Sequence, residues 1–427
     1  MEKRQGYMDR ALLVGVDLEN DFTDIDNSLE ELEELVIAAG GLVISKIVQK
    51  KENINPTYFI GKGKAEEIKL ACEELDITTI VFNDELSGAQ LRNLEKLIDK
   101  KIIDRTNLIL DIFANRATSK EGKLQVKLAQ LKYRLPRLVG FRDYLSREGG
   151  GIGTRGPGEQ KLEIDRRHIL REINNIERQL KEIEENRNIK RQKRLNSNLP
   201  IIALVGYTNS GKSTLLNTIV KSDSEKGDNR EVFVKDMLFA TLDTSLRRGS
   251  LPNGQNFLIT DTVGFVSKLP THLIEAFKGT LEEVKYADLL LHVVDASNKD
   301  LDIQIETTLD ILKDLEVLDK PIITVFNKID KVGNSNIFYS NNLIGDKVFI
   351  SAKEGTNLSK LMKMIEEGIP YEYKYVLLKI PYDQQSTLSY FMDNYEIENL
   401  RYEEDGTYIN LYINPIDLEK YKDKIIK

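Results

Sequence analysis

Cysteine is almost missing from this chain of 427 residues; Cys72 stands alone. No internal disulfide can form, and a reducing cytoplasm is the expected compartment. Cys72 falls among helix-spaced apolar residues and reads as core filler. Histidine is nearly as scarce. His168, His272 and His292 lie far apart with no partners at metal-ligand spacing, which argues against a zinc site. No apolar run approaches the ~20 residues of a membrane span; Leu289–Val294 has the length of a strand. No charged-then-apolar leader is visible, so no secretory signal is expected. Charged residues make up 30% of the chain and the formal net charge is -8, a soluble balance. The length suggests roughly two to four domains.

What the sequence does contain centres on one stretch, Gly206-Tyr207-Thr208-Asn209-Ser210-Gly211-Lys212-Ser213. It follows the apolar run Ile201–Val205 and precedes a helical pattern containing Leu215, Leu216 and Ile219. Buried strand, glycine turn and helix N-terminus are the context of a phosphate-binding loop. Gly206 and Gly211 allow the backbone to wrap an anion, toward which successive N–H groups and the helix dipole point. Lys212 is expected to reach the β and γ phosphates, and the Ser213 hydroxyl to ligate Mg²⁺. Thr214, next along, joins the expected GTP contacts.

Three further loops follow in order. Leu238-Phe239-Ala240-Thr241-Leu242-Asp243-Thr244 offers a threonine hydroxyl that can bind Mg²⁺ and sense the γ-phosphate; Thr241 is preferred and Thr244 is the reserve. The strand Phe257–Thr260 ends in Asp261-Thr262-Val263-Gly264, with Asp261 near the metal shell and a Gly264 amide able to approach the γ-phosphate. Ile322–Phe326 leads into Asn327-Lys328-Ile329-Asp330. The Asp330 carboxylate can accept from both guanine N1 and N2, a pair that adenine lacks, so this motif selects GTP over ATP. Ser351-Ala352-Lys353 can close over the base. Lys212, Thr241 and Gly264 are the expected catalytic groups, and Ser213, Thr241 and Asp261 the expected Mg²⁺ ligands.

Glutamine, the usual water-orienting residue after Asp-x-x-Gly, is absent from Phe265 to Phe277. An apolar Phe265 cannot polarise water, so slow intrinsic hydrolysis, accelerated by a partner, is expected; His272 reads either as a substitute for the glutamine or, as favoured here, as a plain surface residue. Asn209 sits where related phosphate loops with an apolar residue after Asp-x-x-Gly hold potassium, so K⁺ is a candidate cofactor.

Upstream, Leu12–Val16, Gly41–Ile44, Thr78–Phe82 and Lys101–Ile103 read as strands, alternating with helical patterns over Leu29–Ala39, Ala65–Leu75 and Ala89–Ile98. This predicts a small parallel sheet. Phe59-Ile60-Gly61-Lys62-Gly63-Lys64 reads either as a phosphate contact or as a basic solvated turn. From Arg116 to Ser197 the composition changes. Leu124, Leu128, Leu131, Leu135 and Leu138, and then Ile169, Ile173, Ile176, Leu180 and Ile183, repeat at spacings of four and three, which predicts two helices packed antiparallel. Pro136 is expected to kink or end the first. Between them lies the glycine-rich tip Gly149–Gly158. From Ile112 to Leu199 there are about 21 basic and 11 acidic residues, so the rest of the chain carries about -18. A basic arm on an acidic body points to a polyanion; a solvated coiled coil is the alternative. Beyond residue 370, Tyr375–Ile380, Leu400–Tyr402 and Tyr408–Ile413 read as strands, and Thr387–Asp393 and Ile416–Lys424 as helices. The aromatic residues there read as core.

The expected fold class is therefore α/β. An N-terminal α/β domain (1–111) and an antiparallel helical hairpin (112–197) precede a central P-loop GTPase domain (198–370) with a mostly parallel sheet and flanking helices. A small α+β domain (371–427) ends the chain.

The combination resembles the HflX family of ribosome-associated GTPases. The resemblance is carried by Tyr58–Lys64, Gly122-Lys123-Leu124-Gln125-Val126, Gly150–Glu159, Leu238–Asp243 and Asp261–Phe265. It differs at Thr244, where the family commonly has proline, and at Pro136. It implies binding to the large ribosomal subunit and its rRNA, with the tip Gly150, Gly151, Ile152, Gly153, Thr154, Arg155 and Gly156 reaching toward the peptidyl-transferase centre. It also implies splitting or rescue of stalled or idle ribosomes, often under stress, and in some members ATP at the N-terminal domain. A monomer is expected. The competing readings are a GTP-regulated protein adaptor with no RNA requirement and an ATP-driven RNA remodeller.

Overall fold

The computed structural model describes residues 9–19, 24–139, 157–195, 199–221, 245–267, 282–332, 343–369, 374–395 and 397–426. Two compact units divide the chain, the first built mainly from residues up to 184 and the second mainly from those beyond; each is described by itself.

The first unit contains a four-stranded parallel sheet in the order β2-β1-β3-β4, from β1 (Arg10–Leu18), β2 (Leu42–Lys51), β3 (Thr79–Phe82) and β4 (Lys101–Asp104). Parallel strands need crossovers, and the intervening helices supply them: α1 (Ile25–Ala38), α2 (Lys62–Glu74) and α3 (Gly88–Ile98). Side chains alternate along a strand. Leu12, Val14, Ile80 and Phe82 pack on Ala65, Ile68 and Cys72 of α2 and on Leu94 and Ile98 of α3. Cys72 is fully buried, as core filler should be.

A fourth helix, α4 (Arg105–Arg116), follows β4 directly, capped by Asp104, whose carboxylate accepts from the Asn107 amide at 2.8 Å. It runs through residue 111 without a break. The arm consists of α5 (Lys120–Val139) and α6 (Pro157–Leu195). Leu128 and Leu131 of α5 pack on Ile169, Ile173 and Ile176 of α6, flanked by Leu124, Leu135, Leu138 and Leu180. The two leucine/isoleucine stripes thus form the seam their spacing called for. Pro136 does not end α5, which continues to Val139.

The reason lies in the next residue. Arg137 donates from Nη2 to Glu85 Oε1 at 3.0 Å, to the Leu86 carbonyl at 2.8 Å and to Asp104 Oδ2 at 3.1 Å, and from Nη1 to the Tyr133 carbonyl at 2.8 Å. Its guanidinium lies 3.3 Å from the centre of the Tyr133 ring, and the Tyr133 hydroxyl donates to Asp104 Oδ1 at 2.7 Å. The α3 start fits flush against this end of α5: a Cβ on Gly88 would stand 2.9 Å from Arg137 Cα. These tertiary contacts outweigh the one amide hydrogen bond that a proline near a helix end forgoes.

The second unit holds a six-stranded sheet in the order β10-β9-β8-β5-β7-β6. Its strands are β5 (Ile201–Val205), β6 (Ser245–Ser250), β7 (Asn256–Asp261), β8 (Leu289–Asp295), β9 (Ile322–Asn327) and β10 (Asp346–Phe349). All neighbours are parallel except the edge pair β6 and β7. α7 (Lys212–Lys221), α8 (Leu301–Asp314) and α9 (Leu358–Gly368) flank it. Leu215, Leu216 and Ile219 of α7 and Leu361 and Ile365 of α9 share one core with Ile202, Leu204, Leu291 and Val325. A parallel sheet offers its ligand site outside the carboxyl ends of its strands, where loops from β5, β7, β9 and β10 converge.

The last module is an antiparallel sheet in the order β11-β13-β12, formed by β11 (Lys374–Ile380), β12 (Ile397–Glu403) and β13 (Gly406–Ile413) with α10 (Gln385–Asn394) and α11 (Pro415–Lys420). Phe391 is core, as read from the sequence, but Tyr375, Tyr382 and Tyr402 are exposed. Those three correct the expectation that the aromatic residues here are core. No helix among the described residues is long and apolar enough to cross a membrane.

Candidate nucleotide-binding site

The loop after β5 is shaped by its glycines. Gly206 has φ +146°, and a Cβ there would fall 2.2 Å from the Val293 carbonyl oxygen of β8. Gly211 has φ +93°, and a Cβ there would meet Asn327 Nδ2 at 2.2 Å. No side chain fits either place. Asn209 also adopts a left-handed conformation, φ 59°, which asparagine tolerates better than most residues. The loop therefore turns tightly and runs into the first turn of α7, whose N-terminus is the kind of place that receives an anion.

Lys212 opens α7 and is buried. Its Nζ donates to the Gly206 carbonyl at 2.9 Å and the Tyr207 carbonyl at 2.7 Å. Burial lowers its pKa to about 8, with nearby Lys328 pushing the same way and Asp261 opposing. Ser213 Oγ donates to Asp261 Oδ2 at 2.6 Å, so two of the three expected Mg²⁺ ligands already touch. Thr241, the third, and its reserve Thr244 lie outside the described residues, as does His272.

The Asp-x-x-Gly loop is stitched to the phosphate loop. Thr208 N–H donates to the Phe265 carbonyl at 2.7 Å, Phe265 N–H to the Gly206 carbonyl at 3.2 Å, and the Ser267 amide to the Tyr207 hydroxyl. Thr262 Oγ1 donates to the Leu204 carbonyl. Gly264 sits tight in this seam: a Cβ there would be 2.8 Å from both Cα and Cγ2 of Thr208 and 3.1 Å from Lys212 Nζ. Phe265 is buried.

The base-side loops are tied to the phosphate loop. Asn327 Nδ2 donates to the Ser210 carbonyl at 2.9 Å, while its Oδ1 accepts from the Ala352 amide at 2.9 Å. Lys328 Nζ donates to the Asn209 carbonyl at 2.6 Å and pairs with Asp295 Oδ2 at 2.8 Å. Ser351 Oγ donates to Asp330 Oδ1 at 2.6 Å, fixing the carboxylate expected to face guanine. Lys353 follows in the turn at Ser351–Gly355. Asp295 was missed from sequence, although its position at the end of β8 was the available signal. His292 of β8 is buried, and burial with nearby Lys212 lowers its pKa to about 4.

The residues present fit a Mg²⁺-nucleotide. Thr208 Oγ1 and Ser210 Oγ are buried with no hydrogen-bond partner among the described residues, and both belong to the phosphate loop. Buried hydroxyls without partners cost about 1–3 kcal/mol each, which a bound phosphate or its water can relieve. The set of amides, one buried lysine, a serine hydroxyl and carboxylates at Asp261 and Asp330 matches phosphates, a hard cation and a purine edge.

The other candidates are placed differently. At the α2 start, Lys62 pairs with Glu66 at 3.8 Å and Lys64 with Glu67 at 2.7 Å, and the Gly61 amide donates to Gln49 Oε1 at 2.8 Å. The tip residues Gly150, Gly151, Ile152, Gly153, Thr154, Arg155 and Gly156 lie outside the described residues.

Comparison with known proteins agrees with this site. Residues 26–114 match the family described as GTP-binding GTPase N-terminal, residues 116–194 the GTP-binding GTPase middle region, and residues 201–328 the 50S ribosome-binding GTPase family. The GTPase HflX of Caldanaerobacter subterraneus subsp. tengcongensis is 46% identical over 426 residues, covering 100% of this chain and 96% of that protein. The GTPase HflX of Escherichia coli strain K12 is 39% identical over 401 residues, covering 93% and 92%. A GTP-binding protein from Sulfolobus solfataricus, solved with GDP, overlaps with a TM-score of 0.43 at 27% identity, covering 84% and 98%. With three GTPase family matches along its length and relatives this similar end to end, the chain belongs to the HflX family of GTPases and is a GTP-hydrolysing enzyme.

Proposed function

We propose that this GTPase binds the large ribosomal subunit and splits or rescues stalled or idle ribosomes, with hydrolysis stimulated by the ribosome. The observation that carries the reading is the seam between Gly264 and the Thr208–Lys212 loop, one register of contacts for a third phosphate to reset. The match of residues 201–328 to a 50S ribosome-binding family supports the partner. So does the surplus of basic residues from 112 to 199, whose contacts would fall on rRNA phosphates and irregular single strands. In this reading the domains are 1–111, 112–197, 198–370 and 371–427. The tip Gly150–Gly156 meets ribosomal RNA, and a single chain acts in the cytoplasm.

In the site, the loop from Gly206 to Thr214, with the Lys212 ammonium, holds the phosphates. Ser213, Asp261 and Thr241 would hold Mg²⁺, which would neutralise charge on the phosphate oxygens. Asp330 and the Ser351–Lys353 turn hold guanine, and Asn327 braces the two loops. Gly264 and Thr241 sense the γ-phosphate. Asn209 is the candidate K⁺ ligand; equal turnover in sodium and potassium would remove it. The paired lysines at Gly61–Lys64 favour the solvated-turn reading, so ATP there is not part of the proposal.

Sedimentation of ribosomes with the protein and GTP, GDP or a non-hydrolysable analogue tests the reading. Pelleting with the large subunit should be strongest with the analogue, and Lys212→Ala should abolish that nucleotide dependence. Equal pelleting under all conditions, or subunit splitting by Lys212→Ala at the parent's level, would overturn it.

A further inference from the structure

The sequence carries no glutamine from Phe265 to Phe277 to orient water, and Phe265, in that place, is buried. Among the described residues the buried hydroxyl of Thr208, next to the Gly264 seam, is the candidate for this work. Thr208 is 5% exposed, and its Oγ1 is buried with no hydrogen-bond partner among the described residues. Its backbone amide is fastened to the Phe265 carbonyl at 2.7 Å. Its Cγ2 lies 2.8 Å from the point where a Gly264 Cβ would be, and Lys212 Nζ lies 3.1 Å from the same point. The Thr208 side chain therefore occupies the gap between the loop that grips the phosphates and the glycine that meets the third one. In the phosphate loop Ser210 also carries a partnerless hydroxyl, but its carbonyl is bound by Asn327, on the base side of the loop.

We infer that the Thr208 hydroxyl is a catalytic group: it orients the attacking water against the γ-phosphate in place of the absent glutamine. This rests on the reading that the triphosphate sits in this loop. A threonine hydroxyl has one donor and two acceptor sites. It accepts a hydrogen bond from the water and donates to a γ-phosphate oxygen, which aligns the water oxygen with phosphorus. The water oxygen forms the new P–O bond while the bond from the γ-phosphorus to the β–γ bridging oxygen breaks. That electron pair stays with GDP, and the water proton passes to a γ-phosphate oxygen, leaving inorganic phosphate. Thr208 begins and ends protonated. The methyl group keeps the water in place by filling the Gly264 side of the gap.

Two variants separate the parts of the side chain. Thr208→Val keeps the methyl contact and removes the hydroxyl; Thr208→Ser keeps the hydroxyl. The full chain is measured for single-turnover GTP hydrolysis, for GTP and GDP affinity with fluorescent nucleotides, and for capture of aluminium fluoride on bound GDP. Thr208→Val should lose roughly 10²-fold in hydrolysis, the scale for one transition-state hydrogen-bonding group. It should hold both nucleotides within about threefold of the parent and fail to capture aluminium fluoride, while Thr208→Ser keeps most of the rate and the capture. Hydrolysis by Thr208→Val within about threefold of the parent would overturn the inference. So would an equal loss of GTP affinity and rate, which assigns the hydroxyl to ground-state binding. Failure of the parent itself to bind GTP would instead sink the reading of the site.

Discussion

The Arg137 node makes a quantitative claim about the first unit. Arg137→Met keeps the stem of the side chain and removes its charged head. Asp104 is fully buried and loses the guanidinium at 3.1 Å. Deleting one partner of a buried pair costs on the order of 3–5 kcal/mol. Here the lower end applies, because Asp104 still accepts from the Tyr133 hydroxyl and from the Leu86 and Asn107 amides. Glu85 is 44% exposed, so its loss adds almost nothing. At about 3 kcal/mol, and roughly 3–4 °C per kcal/mol for a unit of this size, the unfolding midpoint of the first unit should fall by about 10 °C. Hydrogen exchange followed by mass spectrometry, during a thermal ramp, reads that unit separately. Peptides over β3, β4, α4 and α5 should lose protection early, while those over β5 and α7 should not. Tyr133→Phe, which removes one hydrogen bond to a charged group, should cost about half as much. A shift under about 2 °C in Arg137→Met would show that the node does not hold α5 in place.

Three further outcomes follow from the nucleotide site. The buried Lys212 has a pKa near 8 without nucleotide, and bound phosphates raise it; binding therefore takes up a proton above pH 8, and GTP affinity should fall there by up to roughly tenfold per pH unit. Between pH 8 and 10.5 the unfolded chain holds this proton and the folded one does not, so nucleotide-free stability should rise across that window; a Kd flat from pH 7 to 9.5 would refute the assignment. Asp330→Asn replaces one acceptor oxygen with a donor, so GTP affinity should drop roughly 10²-fold while a xanthine nucleotide, with a carbonyl at C2, gains; competition titration reads both.

Much of this site was legible because each loop follows a strand whose apolar run is unmistakable and carries a side chain suited to one part of the nucleotide. Gly206, Lys212, Ser213, Asp261, Asn327 and Ser351 lie at or beyond the carboxyl ends of strands of one sheet, as their order implied. The misses have separate causes. Edge strands show mixed polarity because only part of their surface is covered. β6 (Ser245–Ser250) is one, and the second half of β2 is another, where Lys46 and Lys50 pair with Glu33 and Asp17. α4 was overlooked because it is buried on most sides, from Arg105 through Phe113, and so shows no amphipathic period. Pro136 misled because propensity is local, whereas the Arg137 contacts that outweigh it come from residues about 30 to 50 positions upstream.

Cys72 has a practical consequence. Its thiol is sealed in the core beneath α2, and burial raises its pKa, so little thiolate exists to react. The native chain should be silent toward maleimide reagents, leaving any newly introduced cysteine as the sole handle. A donor dye at Lys181→Cys on α6 and an acceptor at Lys363→Cys on α9 would therefore turn the molecule into its own ruler, able to report whether exchanging GDP for GTP swings the arm.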